Sequence, residues 1–140
     1  MTEPMRKTIL LVEDDTAMRT GLAYLLHSEG YAVVSTCNGR EALEVLAAAD
    51  EPPCLILLDL MMPVMDGWKF LAERRRAAGS ISRPPVVLLS GLDFISGATG
   101  VSDFLRKPVD AAALLECVKR FVDPKIPGPT GGVAESGRAQ

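Results

Sequence analysis

Short, almost wholly apolar runs alternate along the chain with longer stretches whose apolar residues recur every three or four positions. The first run, residues 8–12, is aliphatic and stops at Glu13, Asp14 and Asp15. It reads as a strand of a parallel sheet buried on both faces, with polar groups only at its end. Residues 16–29 follow, with Met18, Leu22, Leu25 and Leu26 on one helical face. Asp15 or Thr16 suits the start of this helix and Gly30 its end. Residues 31–36 predict a second strand. Asn38 and Glu41 have capping-box spacing, with Asn at the cap, and open a helix that turns Ala42, Leu43, Leu46 and Ala47 inward and fades by Asp50.

Pro52 and Pro53 precede a third buried strand, residues 54–58, which ends at Asp59. A loop with Pro63 and an Asp66–Gly67 turn leads to a helix over about 68–78, continued by Leu71, Ala72 and Arg75. Pro84 and Pro85 precede a fourth strand, 86–89, which ends at Ser90. A short fifth strand, 103–105, is followed by Arg106, Lys107 and Pro108. Asp110 can cap a last helix whose Leu114, Leu115, Val118, Phe121 and Val122 form an apolar stripe. The stretch between the fourth and fifth strands, 91–102, carries three glycines and no stripe, so a helix there is expected to be shortened or absent. Strands alternating with helices imply right-handed crossovers and a three-layer α/β fold, its five-stranded parallel sheet covered on both faces.

Composition narrows the function. The 140 residues suit one domain, and 48% of them are hydrophobic, enough for a real core. The domain is expected over 1–123. From Pro124 onward seven of 17 residues are Gly or Pro, which predicts a disordered tail over 124–140. The formal net charge of −3 gives no support to a nucleic-acid-binding domain. Cys37, Cys54 and Cys117 form no CxxC pair and His27 is the one histidine, so a disulfide scaffold or structural zinc site is a poor reading. No apolar run reaches the length of a membrane span, and the first residues hold no hydrophobic signal region. A cytoplasmic setting is the expectation.

In an open parallel sheet, functional groups collect beyond the carboxyl ends of the strands. Glu13 and Asp14, Asp59, Ser90 and Lys107 all stand at such ends. Three carboxylates in one cleft are unfavourable unless a cation sits among them. Oxygen ligands without Cys or His favour a hard ion, and few ligands completed by water favour Mg²⁺ over Ca²⁺.

Four strings, ILLVEDD (9–15), LILLDLMMPVMDG (55–67), VVLLSG (86–91) and DFLRKP (103–108), resemble the receiver domains of two-component response regulators, of the stand-alone, CheY-like kind. The resemblance covers about residues 6–122. It implies a flavodoxin-like strand order of 2-1-3-4-5. By the same resemblance Asp59 accepts a phosphoryl group from a histidine kinase or phosphotransfer protein. Glu13 and Asp14 match the acidic pair that holds Mg²⁺, joined by Asp59 and the backbone carbonyl of Met61. Ser90 matches the switch hydroxyl, Lys107 the lysine that pairs with the phosphoryl group, and Phe104 the aromatic switch partner. Met61 and Leu92 match positions bordering the approach of the water that hydrolyses the acyl phosphate. A signalling module is implied rather than an enzyme with a substrate of its own; it would act on a downstream protein, with no nucleic-acid or membrane partner.

Other functions fit less well. A phosphatase of the haloacid-dehalogenase type wants a second Asp two residues after the first, where this chain has Met61. A flavin or nucleotide binder wants a phosphate loop after the first strand, where Glu13, Asp14 and Asp15 would repel phosphate. A pseudo-receiver that works without phosphorylation is marked by loss of the acids or the lysine, and all are present. The remaining polar and aromatic features have plain structural readings: Arg74, Arg75 and Arg76 a solvated helix face, His27 a surface residue, Cys54 and Cys117 core positions, and Trp68, Met62, Met65 and Phe70 packing for the loop and helix after Asp59.

Overall fold

The computed structural model describes residues 7–77, 84–91 and 101–122. Within them lie β1 (Thr8–Val12), α1 (Thr16–Ser28), β2 (Ala32–Thr36), α2 (Gly39–Ala48), β3 (Leu55–Asp59), α3 (Gly67–Arg76), β4 (Val86–Ser90), β5 (Asp103–Arg106) and α4 (Ala111–Val122). The strands form one parallel sheet in the order β2-β1-β3-β4-β5. The α/β class, the parallel sheet and its order agree with expectation. The expected loss of a helix between β4 and β5 falls mainly on residues 92–100, and the expected tail on 124–140; both lie outside the described residues.

The period of two along each strand sorts the core into two layers. Ile9, Leu11, Leu55, Leu57, Val87 and Leu89 face Leu22 and Leu26 of α1 and Leu114, Cys117, Val118 and Val122 of α4. Leu10, Val12, Ile56, Leu58, Val86 and Leu88 face Ala42 and Leu46 of α2 and Phe70 and Leu71 of α3. Both faces of the three inner strands are thus dry, which is why those strands read as continuous aliphatic runs.

Side-chain caps start the helices where polar residues follow the strands. Asp15 accepts from the Met18 N–H at 2.9 Å, Asn38 from the Glu41 N–H at 2.9 Å, Asp66 from the Lys69 N–H at 2.9 Å and Asp110 from the Ala113 N–H at 2.9 Å. The Glu41 carboxylate reaches back past the cap to the Cys37 N–H, at 2.9 Å. Gly30 ends α1 at φ 97°, a left-handed conformation that a glycine adopts at no steric cost.

Four expectations need correction. Ala47 is exposed, because α2 turns Ala42 and Leu46 to the sheet. The buried side of α3 is Phe70, Leu71 and Arg74, not a stripe through Ala72 and Arg75. Arg74 is therefore not on a solvated face: it is 6% exposed and donates from Nη2 to the Pro84 carbonyl, tying the end of α3 to the approach of β4. Trp68 is 41% exposed and packs less than expected, whereas Phe70 and Met62 are buried. Cys117 is buried, Cys54 packs against the core and His27 is exposed, as read from the pattern.

Candidate functional site

Register alone assembles the cleft. Val12 pairs with Leu58, so Glu13 and Asp59 leave adjacent strands at one level. Asp59 pairs with Leu89, and Ser90 with Arg106, so Ser90 and Lys107 emerge beside them at the same sheet edge. The Lys107 N–H donates to the Ser90 carbonyl at 2.7 Å, and the Lys107–Pro108 peptide is cis. Gly67 completes the floor. A Cβ there would stand 2.7 Å from the Asp59 carbonyl oxygen, so only glycine lets α3 begin against the end of β3.

Glu13, Asp14 and Asp59 each offer a carboxylate oxygen, all within 4.8 Å of one another. Glu13 and Asp59 are buried and Asp14 opens to solvent. Lys107 Nζ lies 3.1 Å from Glu13 Oε1 and 3.2 Å from Asp59 Oδ1. Glu13 Oε2 accepts from the Asp15 N–H at 3.1 Å, and Asp59 Oδ1 from the Met61 N–H at 3.3 Å. Burial pushes the Glu13 carboxyl up to about 7, against its hydrogen bonds from Asp15 and Lys107. Burial and the neighbouring Asp14 carboxyl likewise push Asp59 above the ordinary aspartate value, with Lys107 opposing. Burial alone would lower the Lys107 ammonium, but Glu13 and Asp59 outweigh it and hold it above the usual lysine value.

This donor set fits a hard divalent cation. Glu13 Oε1 is buried and accepts no hydrogen bond, although the Lys107 charge is close. A buried carboxylate oxygen left in this state is costly. All three acids are oxygen donors, the kind Mg²⁺ takes.

Ser90 is 2% exposed at the end of β4. Phe104 is not in the core: it is 38% exposed, since β5 turns Leu105 toward α1 and α4 and leaves Phe104 on the opposite side. Glu13, Asp14, Asp59, Met61, Ser90, Phe104 and Lys107 therefore stand at the cleft or on the strands bordering it, whereas Leu92 lies outside the described residues. Two features were not anticipated. Val64, in the loop after Asp59, has φ 70°, and Arg19 of α1 donates to the main chain of the acidic turn. No periodicity or motif marks either one.

A parallel α/β sheet of this order, with acids and a lysine gathered at its carboxyl edge, defines a signalling receiver. Residues 9–119 match the model of the response regulator receiver domain, and the chain belongs to that family. It is 33% identical over 112 residues, 76% of this chain, to the transcriptional regulatory protein AfsQ1 of Streptomyces coelicolor, and spans 47% of that protein's length. The chain thus spans about half of this curated relative, and 27% of the transcriptional regulatory protein GlrR of Escherichia coli, to which it is 36% identical over 85% of its own length. Among solved structures it resembles the receiver domain of the Pseudomonas aeruginosa sensor histidine kinase PA1611, described with a magnesium ion coordinated in its active-site cleft. The TM-score is 0.75 at 29% identity, covering 84% of this chain and 98% of that one.

Proposed function

We propose that this receiver domain takes a phosphoryl group onto Asp59 from a histidine kinase or phosphotransfer protein, and that the phosphorylated form signals to a downstream protein. The observation that carries this reading is the shared placement of Lys107 Nζ, 3.2 Å from Asp59 Oδ1 and 3.1 Å from Glu13 Oε1, in a cleft of three carboxylates. Asp14, Glu13, Asp59 and the Met61 carbonyl would hold Mg²⁺. When bound, the cation supplies positive charge between the Asp59 carboxylate and the incoming phosphoryl oxygens.

An Asp59 oxygen attacks the phosphorus of a phosphoimidazole. The P–O bond forms as the P–N bond breaks, and the ring nitrogen keeps the electron pair. Lys107 places a compact positive charge against the transferred group. Ser90 then donates its hydroxyl to a phosphoryl oxygen, an interaction available only in the phosphorylated state. Phe104, exposed before transfer, follows Ser90 inward and changes the surface that a partner reads. The domain promotes its own phosphorylation and dephosphorylation and has no separate substrate. No helix among the described residues is long and apolar enough to cross a membrane. We place the domain in the cytoplasm with its kinase and assign it no contact with nucleic acid or membrane.

The test is intact-protein mass after incubation with acetyl phosphate, with Mg²⁺ or with EDTA. The wild type is expected to gain one phosphoryl group with Mg²⁺ only, and Asp59→Asn none. Stoichiometric gain by the Asn variant would move the acceptor elsewhere. A wild type that gains nothing while remaining folded would instead be a pseudo-receiver.

A further inference from the structure

Arg19 stands on α1 and sends its guanidinium back to the turn that follows β1. Nη1 donates to the Glu13 carbonyl at 2.8 Å and to the Asp14 carbonyl at 3.3 Å. These are the main-chain oxygens of the two acids that lead the cleft. The turn is also tied by the Glu13 N–H to the Thr36 carbonyl of β2 at 3.1 Å, and by the Arg19 N–H to the Asp15 carbonyl at 2.8 Å. In the turn, Arg19 meets backbone and not the Glu13 or Asp14 carboxylates, so its bonds there fix chain position without neutralising the acids. The same guanidinium lies in electrostatic range of Cys37, between β2 and α2, and of Glu41 in the first turn of α2. Its two main-chain bonds brace the turn after β1 at the carboxyl edge of the sheet.

Such bracing matters for a demanding ion. Mg²⁺ requires near-ideal octahedral geometry and tolerates little displacement of its ligands. Glu13 is held by Lys107 and by the Asp15 N–H. Asp14 stands at the open mouth of the cleft with its carboxylate near that of Asp59, and the position of its main chain sets how far that carboxylate reaches. We propose that Arg19 is a positioning residue for the Mg²⁺ site, presetting Asp14 and Glu13 by clamping the carbonyls of both. This role rests on the Mg²⁺ reading given above.

Positioning and simple charge predict opposite signs. If Arg19 acted only through its charge, a neutral residue would leave the cleft more negative and tighten Mg²⁺ binding. If it acts through the carbonyls, the neutral variant binds more weakly. The experiment is calorimetric titration of MgCl₂ into wild type, Arg19→Gln and Arg19→Lys, with the Tm of each measured in EDTA. The Gln variant is expected to bind Mg²⁺ about tenfold more weakly, as loss of a group that orients metal ligands usually does. Lysine, a point donor without the planar fork, should recover about threefold of that loss. A purely structural role would lower the Tm in EDTA and leave the Kd of the folded protein unchanged. If Gln fails to fold, the Lys variant decides: affinity equal to wild type overturns the proposal. Wild-type binding with an equal or tighter Gln variant also overturns it and leaves the metal reading standing. A wild type that takes up no Mg²⁺ overturns both.

Discussion

Lys107 Nζ lies 3.2 Å from Asp59 Oδ1 and stands at the same time 3.1 Å from Glu13 Oε1, 94 residues away in the chain. One ammonium thus serves two buried carboxylates, with a third at the mouth of the cleft. Burial, together with a deficit of positive charge, pushes a proton or a cation toward the acids. The site is built to be completed.

Lys107→Met removes the only cation that the described ion pairs bring to Glu13 and Asp59. In EDTA it should destabilise the protein by about 2 kcal/mol, below the cost of breaking a fully buried pair because Lys107 is partly exposed. Saturating Mg²⁺ should recover most of the loss by supplying the missing charge. Urea unfolding with and without Mg²⁺ measures both; an equal loss in the two conditions would deny the cation a place in this cleft.

Arg74→Ala should cost about 2 kcal/mol, the usual value of a hydrogen bond to a charged donor together with its desolvated acceptor. The Pro84 carbonyl would lose this partner on a buried stretch of chain. Arg76→Ala is the control. Its pair with Glu73, at 3.6 Å on the surface, contributes less than about 0.5 kcal/mol. Similar losses for the two variants in chemical denaturation would contradict the burial of Arg74.

Val64 holds a left-handed φ of 70° while 73% exposed, so its branched side chain is strained and contributes little packing. Val64→Gly should stabilise the fold by about 1 kcal/mol, the relief of Cβ strain exceeding the entropy cost of glycine. Thermal unfolding reads this as a higher Tm. A lower Tm would mean that the Val64 side chain makes a contribution greater than its strain.

Met61, 70% exposed two residues beyond Asp59, borders the cleft without offering a side-chain hydrogen bond to water. Met61→Asn should speed loss of the phosphoryl group several-fold by orienting the attacking water. Decay of the phosphorylated protein after donor removal, with Mg²⁺ present, is the measurement. Equal decay in wild type and variant would remove this side chain from control of hydrolysis.

Much of the site was legible because a parallel sheet sends every strand end to one edge. A polar residue after an aliphatic run must emerge there, which is why Glu13, Asp14, Asp59 and Ser90 could be grouped before any contact was known. The helix starts at Asn38 and Asp110 were equally plain and Asp15 was one of two candidates, since such side chains cap within three residues, whereas Asp66 was read only as part of a turn and proves to be the cap of α3. Phe104 was not. Alternation along β5 separates it from Leu105 but does not say which of the two meets a covering helix.

Local pattern therefore decided the elements, the layers of the core and the chemistry at the strand ends, because hydrophobic period and side-chain capping act within a few residues. The burial of Arg74 was decided elsewhere, by a carbonyl that Pro84 brings to it from the approach to another strand. The clamp of Arg19 on Glu13 and Asp14 depends on the angle at which α1 leaves the turn, and the left-handed Val64 on the path the loop takes from β3 to α3. An arginine or a valine is written the same way in a sequence whether it faces water, a buried carbonyl or a strained turn. Its destination follows from which segments packing brings beside it, and that is a property of the folded chain as a whole.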